Sequence, residues 1–157
     1  MITIGIDPGI YGAVAFLENG KYKHVEDMPV MLKGTGAVKN EVNAGALITI
    51  LRKYAPADEG VLVAIERVNA MPGQGVSSVF SLGDSFGTAR ASVAACRFEM
   101  EYVTPVTWKK HFKLPSDKET CRAAAIKMFP DAELHLKKHV DRAEALLMAR
   151  WVYERKY

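Results

Sequence analysis

Residues 61–66, Val-Leu-Val-Ala-Ile-Glu, carry apolar side chains on both faces of an extended backbone until the last position. Such a run is stable only as a central strand with other elements covering both of its sides. That requirement directs the chain toward a layered α/β fold with helices flanking a sheet. The run ends in a carboxylate, Glu66. The chain opens in a similar way: Ile2, Ile4 and Ile6 alternate with Thr3, Gly5 and Asp7, the period of a strand. Pro8-Gly9 stops it, because proline cannot donate to the ladder and glycine tolerates positive φ. Asp7 therefore ends a stiff element where an uncompensated charge is costly. Taken singly, it reads as an aspartate that starts a turn.

The other elements follow from local signals. Residues 12–17 form a second apolar segment, and Glu18-Asn19-Gly20-Lys21 after it is a hairpin signal. The first three strands are thus predicted as an antiparallel meander, the third over residues 21–28. Gly12 near Asp7 leaves room for an ion or phosphate to approach the backbone. Residues 28–42, with Pro29, Gly34 and Gly36, read as a loop whose Lys33 and Lys39 are solvated. A helix is expected over 43–54, with Leu47, Ile48, Leu51 and Tyr54 on one face and Pro56 as its stop. After Glu66, residues 67–76 form an exposed loop through Met71-Pro72-Gly73-Gln74-Gly75, overhanging that carboxylate.

A long helix over 77–95 carries Gly83, Gly87, Ala91 and Ala95 at four-residue intervals. This small-residue stripe suits packing within the chain or a contact between two copies, and both readings stand. A fifth strand over 97–103 leads to a short helix, 106–112. Ser116 is expected to cap a helix over 117–128, with Glu119 completing a capping box. The last helix runs over 138–154. The predicted fold is α/β: a five-stranded mixed sheet, antiparallel in strands 1–3 and parallel in strands 4–5, flanked by helices. At 157 residues the chain reads as one domain, 1–157.

Asp141 and Glu144 lie three apart in the otherwise apolar last helix, and so share a face. With the first and fourth strands placed side by side in the sheet and the last helix packed across their ends, Asp7, Glu66, Asp141 and Glu144 repel one another unless a divalent cation sits among them. Oxygen-only sites suit magnesium or manganese, and no Cys or His set has zinc spacing. Two such ions about 4 Å apart can clamp an in-line displacement at phosphorus. Lys109, Lys110, Lys113 and Lys118, interleaved with Trp108, His111 and Phe112, suit phosphate contact with some stacking. The alternative is a solvated helix face with Trp108 in the core. His139 reads as a surface histidine at a helix start. The net charge of +3 is compatible with a polyanionic partner. Cys96 and Cys121 have no framework or metal spacing and read as reduced thiols of a cytoplasmic protein. No apolar run reaches bilayer length, and the opening residues read as a strand rather than a leader.

Gly5-Ile6-Asp7-Pro8-Gly9 with Gly12, Ala64-Ile65-Glu66, and Asp141-Arg142-Ala143-Glu144-Ala145-Leu146 occur in that order over nearly the whole chain. In order and spacing they resemble the RuvC-like Holliday-junction resolvases, in particular the compact phage-type members. The resemblance implies a ribonuclease H-like fold and a magnesium-dependent homodimer, with manganese as a substitute and two ions per active site. It implies nicking of two opposed strands of a four-way DNA junction. On that pattern Asp7, Glu66, Asp141 and Glu144 are the catalytic and metal-binding carboxylates. Lys109, Lys110 and Lys118 are DNA contacts, and Gly83, Gly87 and Ala91 lie in the dimer contact; Arg67, directly after Glu66, is expected as a further nucleic-acid contact apart from that pattern. Two departures stand out. Glu144 replaces an aspartate, and Arg67-Val68-Asn69 follows Glu66 where the bacterial type tends to carry an aromatic residue. The first preserves metal binding with altered geometry, and the second leaves room for a broader nuclease acting on forks or flaps. Competing expectations are an RNA-processing ribonuclease H-like nuclease of the YqgF type and a non-catalytic binder of branched nucleic acid. An actin-like kinase needs a second similar domain, for which the chain is too short.

Overall fold

The opening strand, β1 (Ile2–Asp7), is the middle of the sheet. The structure is a computed structural model that describes residues 1–36, 38–56 and 60–157. β1 is flanked by β2 (Ala13–Glu18) and β6 (Val61–Glu66), with β3 (Lys21–Asp27) and β7 (Glu99–Val103) at the edges. Among the described residues this sheet has five strands in the order β3-β2-β1-β6-β7. β1 pairs antiparallel with β2, and β2 with β3, while β1 pairs parallel with β6, and β6 with β7. The predicted mixed sheet is therefore present, strand for strand.

Register decides where the acidic strand ends go. Ile6 is the partner of Ile65 in the parallel ladder, so Asp7 and Glu66, one residue on, leave the sheet side by side. By alternation they share the face of Thr3, Gly5, Leu62 and Ala64. Ile2, Ile4, Ile6, Val63 and Ile65 point the other way. They pack with Leu47 and Leu51 of α1 (Ala44–Tyr54) and with Ala89 and Val93 of α2 (Val76–Ala95).

The acidic face is covered by α5 (Val140–Lys156), with α4 (Lys118–Met128) behind it. Small residues make this possible. Ala15, Gly5 and Ala64 are ladder partners across three adjacent strands, forming a low row on which α5 lies. A Cβ at Gly5 would overlap the Ala145 carbonyl oxygen and come 2.6 Å from the Ala149 nitrogen. The Asn19-Gly20 turn forms as expected, with φ of 51° and 75°. Gly20 also seats α5 from below, since Arg150 Nη1 donates to its carbonyl at 3.0 Å.

Three local expectations need correction. Residues 28–42 are not simply a loop: β4 (Val30–Leu32) and β5 (Asn40–Val42) pair antiparallel, and Met28 and Val42 are buried in the core. Three-residue strands are too short to show a period. The cap before α4 is Asp117 rather than Ser116; its Oδ2 accepts from the Thr120 N–H at 2.7 Å and its Oγ1–H at 2.6 Å. A carboxylate there also complements the helix dipole. Glu119 is thereby released from the predicted capping box and pairs with Arg122. His139 is buried, not on the surface, because a short 3-10 turn, Lys137–His139, folds it inward before α5. α2 buries Ser85, Ala89, Ser92 and Val93. Gly83, Ala91 and Ala95 are exposed and Gly87 is half-buried. A Cβ at Gly83 or Gly87 would meet nothing within 4 Å among the described residues, so neither glycine is required for packing there. No described helix is long and apolar enough to cross a membrane.

Candidate metal centre and active site

α5 presents Asp141 in its first turn and Glu144 three residues on, over the end of β1. Its first turn is tied to the sheet edge by Arg142, which donates to both oxygens of Asp27 at 2.6 and 3.0 Å and to Glu133 at 3.3 Å. One ligand oxygen each from Asp7, Asp141 and Glu144 lie within 4.8 Å of one another. The fourth predicted carboxylate, Glu66, is outside that triplet but beside Asp7. Its Oε2 accepts a hydrogen bond from the Trp108 indole N–H at 3.0 Å.

Two ammonium groups meet the carboxylates. Lys118 Nζ lies 2.8 Å from Asp141 Oδ1 and 3.5 Å from Glu144 Oε2, and Lys109 Nζ lies 3.0 Å from Glu144 Oε1. Burial works against the charge of Lys118. The hydrogen bond to Asp141 and the charges of Glu144, Asp141 and Asp7 outweigh it and hold the amine above its ordinary value. Asp7 has no cationic partner within bonding distance among the described residues; its carboxylate accepts only from the Gly9 N–H at 3.4 Å. Burial first, then the charges of Glu66, Asp141 and Glu144, raise it from 3.8 to about 7. Glu66 is also raised, chiefly by burial, against the pull of Trp108. The site carries more negative charge than its lysines neutralise.

The imbalance has a pH signature. Asp7 ionises near 3.8 in the unfolded chain and near 7 in the folded one, so the folded state holds the extra proton between those values. Stability is therefore complete at low pH and falls as pH rises through that window, by roughly 2–4 kcal/mol. In EDTA the protein should melt lower at pH 8 than at pH 5.5, and manganese should restore most of the loss at pH 8. A scanning-fluorimetry series showing a higher metal-free melting temperature at pH 8 would contradict this electrostatic account.

These groups line a cleft of about 1120 Å³. Its walls come from Tyr11, the residues around Lys39 beside the β4–β5 hairpin, the 67–74 loop and α2, and Lys109, Lys118 and Arg67 line it. Lys39, read from sequence as solvated surface, thus stands at the cleft. Lys110, on the short helix α3 (Pro105–His111), is exposed and is not among the lining residues. Trp108 is fully buried, so the core reading of that residue holds and the stacking reading does not. His111 pairs with Glu154 at 2.7 Å, and Phe112 packs on the core. Gly83, Gly87 and Ala91 form their stripe on α2. The link from Trp108 to Glu66 had no sequence signal, because a tryptophan beside lysines looks alike in a core and on a binding surface.

A mixed five-stranded sheet with an acidic helix laid across the ends of its central strands defines the ribonuclease H-like α/β class. Within that class the fold is RuvC-like. Thermus thermophilus RuvC in complex with a Holliday junction substrate superposes with a TM-score of 0.67 at 16% identity, over 99% of this chain and 95% of that one. A second Thermus thermophilus RuvC structure gives 0.61 at 17% identity, over 99% and 96%. No protein-family model matches the chain. No curated protein matches it either.

Proposed function

We propose that the chain is a divalent-metal-dependent, structure-selective endodeoxyribonuclease that resolves four-way DNA junctions as a homodimer. The observation that carries this is the meeting of Asp7, Asp141 and Glu144 within 4.8 Å, in a cation-walled cleft, on a RuvC-like fold. The residues fit hard cations: every donor is a carboxylate oxygen, and Lys118 and Lys109 already stand where positive charge is wanted. Held by Asp7, Glu66, Asp141 and Glu144, two magnesium or manganese ions would supply an activated water and a stabilised 3′ leaving oxygen. Lys109 and Lys118 can transfer their contacts from carboxylate to phosphate oxygen, keeping the strand in register with the acidic site. Arg67 and Lys39 extend that positive track, and Lys110 offers a contact outside the cleft. The Gly83, Gly87 and Ala91 stripe on α2 is the surface through which two copies meet, giving two clefts for two opposed strands. The buried free thiols of Cys96 and Cys121 fit a reducing, cytoplasmic setting.

The decisive experiment is a gel of end-labelled substrates with and without magnesium: four-way junction, fork, flap, linear duplex and the RNA equivalents. Paired, magnesium-dependent nicks in the junction are expected, with the linear duplex intact. Equal cutting of linear duplex, preference for RNA, or binding with no cleavage would each replace the proposal with one of its competitors. Two variants refine it. Lys118→Ala should weaken junction binding and reduce the slope of log affinity against log salt by about one. An unchanged slope would remove Lys118 from the DNA surface. Gly87→Leu should leave the melting temperature nearly unchanged yet yield a monomer by light scattering; a dimer of normal affinity would place the contact elsewhere.

A further inference from the structure

Trp108 is placed with unusual determinacy. Glu66 ends β6, and its ladder partner is Val103, the last residue of β7. The ladder is closed by the Arg67 N–H, which donates to the Val103 carbonyl at 2.8 Å. The chain then turns into α3 at once: Thr104 Oγ1 accepts from the Thr107 N–H at 3.3 Å, and Pro105 occupies the first turn. Trp108 thus sits one helical turn beyond the Thr104 cap, which directly follows the residue that pairs with Glu66. Its ring is fully buried, and its N–H reaches Glu66 Oε2 at 3.0 Å. No other hydrogen-bond donor reaches Glu66 among the described residues.

The chemistry of this donor matters. An indole N–H donates and cannot accept, so it cannot turn around or compete for a cation. It does not titrate, so it orders the carboxylate without adding charge to a site already supplied with two lysines. It occupies one oxygen of Glu66 and leaves the other without a donor among the described residues. A buried indole N–H could as well be satisfied by a neutral carbonyl. Meeting it with a strand-end carboxylate instead costs desolvation, which a merely structural bond does not require.

We propose that Trp108 is a positioning residue, whose indole N–H fixes the rotamer of Glu66 so that its free oxygen is presented to the metal ions. This rests on the nuclease reading above. Outer partners that orient metal ligands commonly affect metal affinity by 10–100-fold. Trp108→Phe keeps most of the ring and removes the donor. Manganese affinity, measured by calorimetry without DNA, should fall roughly tenfold or more. The single-turnover cleavage rate should fall similarly, with the junction KM within about twofold of wild type. The same substitution made on Glu66→Gln should leave manganese affinity unchanged, because the residue through which it acts is gone. An equal loss in both backgrounds would mean that Trp108 acts by packing alone, and no loss in either would also overturn the proposal. If Trp108→Phe fails to fold, 3-benzothienylalanine at position 108 preserves the shape and replaces only the N–H with sulfur, and the same comparison applies. Failure of the wild-type protein to bind manganese at all would instead refute the nuclease reading.

Discussion

Asp7→Asn is expected to leave four-way junctions uncut while binding them at least as tightly as the wild-type chain. Asp7 is the carboxylate on which the other three act: burial and the charges of Glu66, Asp141 and Glu144 together raise it to about 7. An amide in its place keeps the volume and the contact with the Gly9 N–H but discards the anionic oxygen. Removing one preorganised electrostatic group of this kind costs on the order of 10²–10³ in rate. The junction contacts proposed for Lys109, Lys118 and Arg67 do not involve Asp7, and the substitution removes one negative charge from the cleft. The same change should stabilise the metal-free protein at pH 8, where wild-type Asp7 is ionised, and abolish most of the manganese-induced rise in melting temperature. Cleavage of a labelled junction, fluorescence anisotropy with that junction, and thermal melts in EDTA and in manganese test these points separately. A variant that cuts at the normal rate would remove Asp7 from the active site.

Gly5→Ala should be severely damaging for a single added methyl group. The added Cβ meets the backbone of α5 at Ala145 and Ala149, not the flexible end of a side chain. Neither backbone can yield alone, so α5 must lift from the Ala15-Gly5-Ala64 row, and Asp141 and Glu144 lift with it. Overpacking a core typically costs 1–3 kcal/mol, and a clash with helix backbone belongs at or above the top of that range. For a chain of this size about 3 kcal/mol corresponds to a fall of roughly 6–12 °C in melting temperature. The acidic triplet should open as well, so the residual folded protein should bind manganese poorly. Gly83→Ala is the matched control. Its Cβ meets nothing within 4 Å, and the substitution should leave the monomer unchanged or slightly more stable. A wild-type melt for Gly5→Ala would mean that α5 does not sit where the structure places it.

Those two glycines show how far a sequence reaches. Nothing local distinguishes Gly5 from Gly83; only the element lying above each does. Periodicity reports which way a side chain faces, and that was enough for the doubly covered run at 61–66, the alternation in β1, the Asn19-Gly20 hairpin and the shared face of Asp141 and Glu144. Those features, all short-range, set the element types, the antiparallel opening hairpin and which acidic groups end strands or share a helix face. Periodicity does not report which strand is a neighbour or in what register. The parallel pairing of Ile6 with Ile65, which sets Asp7 beside Glu66, arose only when β6 docked on β1. The same holds for the lysines on Asp141 and Glu144, the indole on Glu66, the burial of His139 and the three-residue strands of the β4–β5 hairpin. The lysine and indole contacts join residues far apart in the chain, and in all these cases packing and desolvation, not a legible local pattern, decide the outcome.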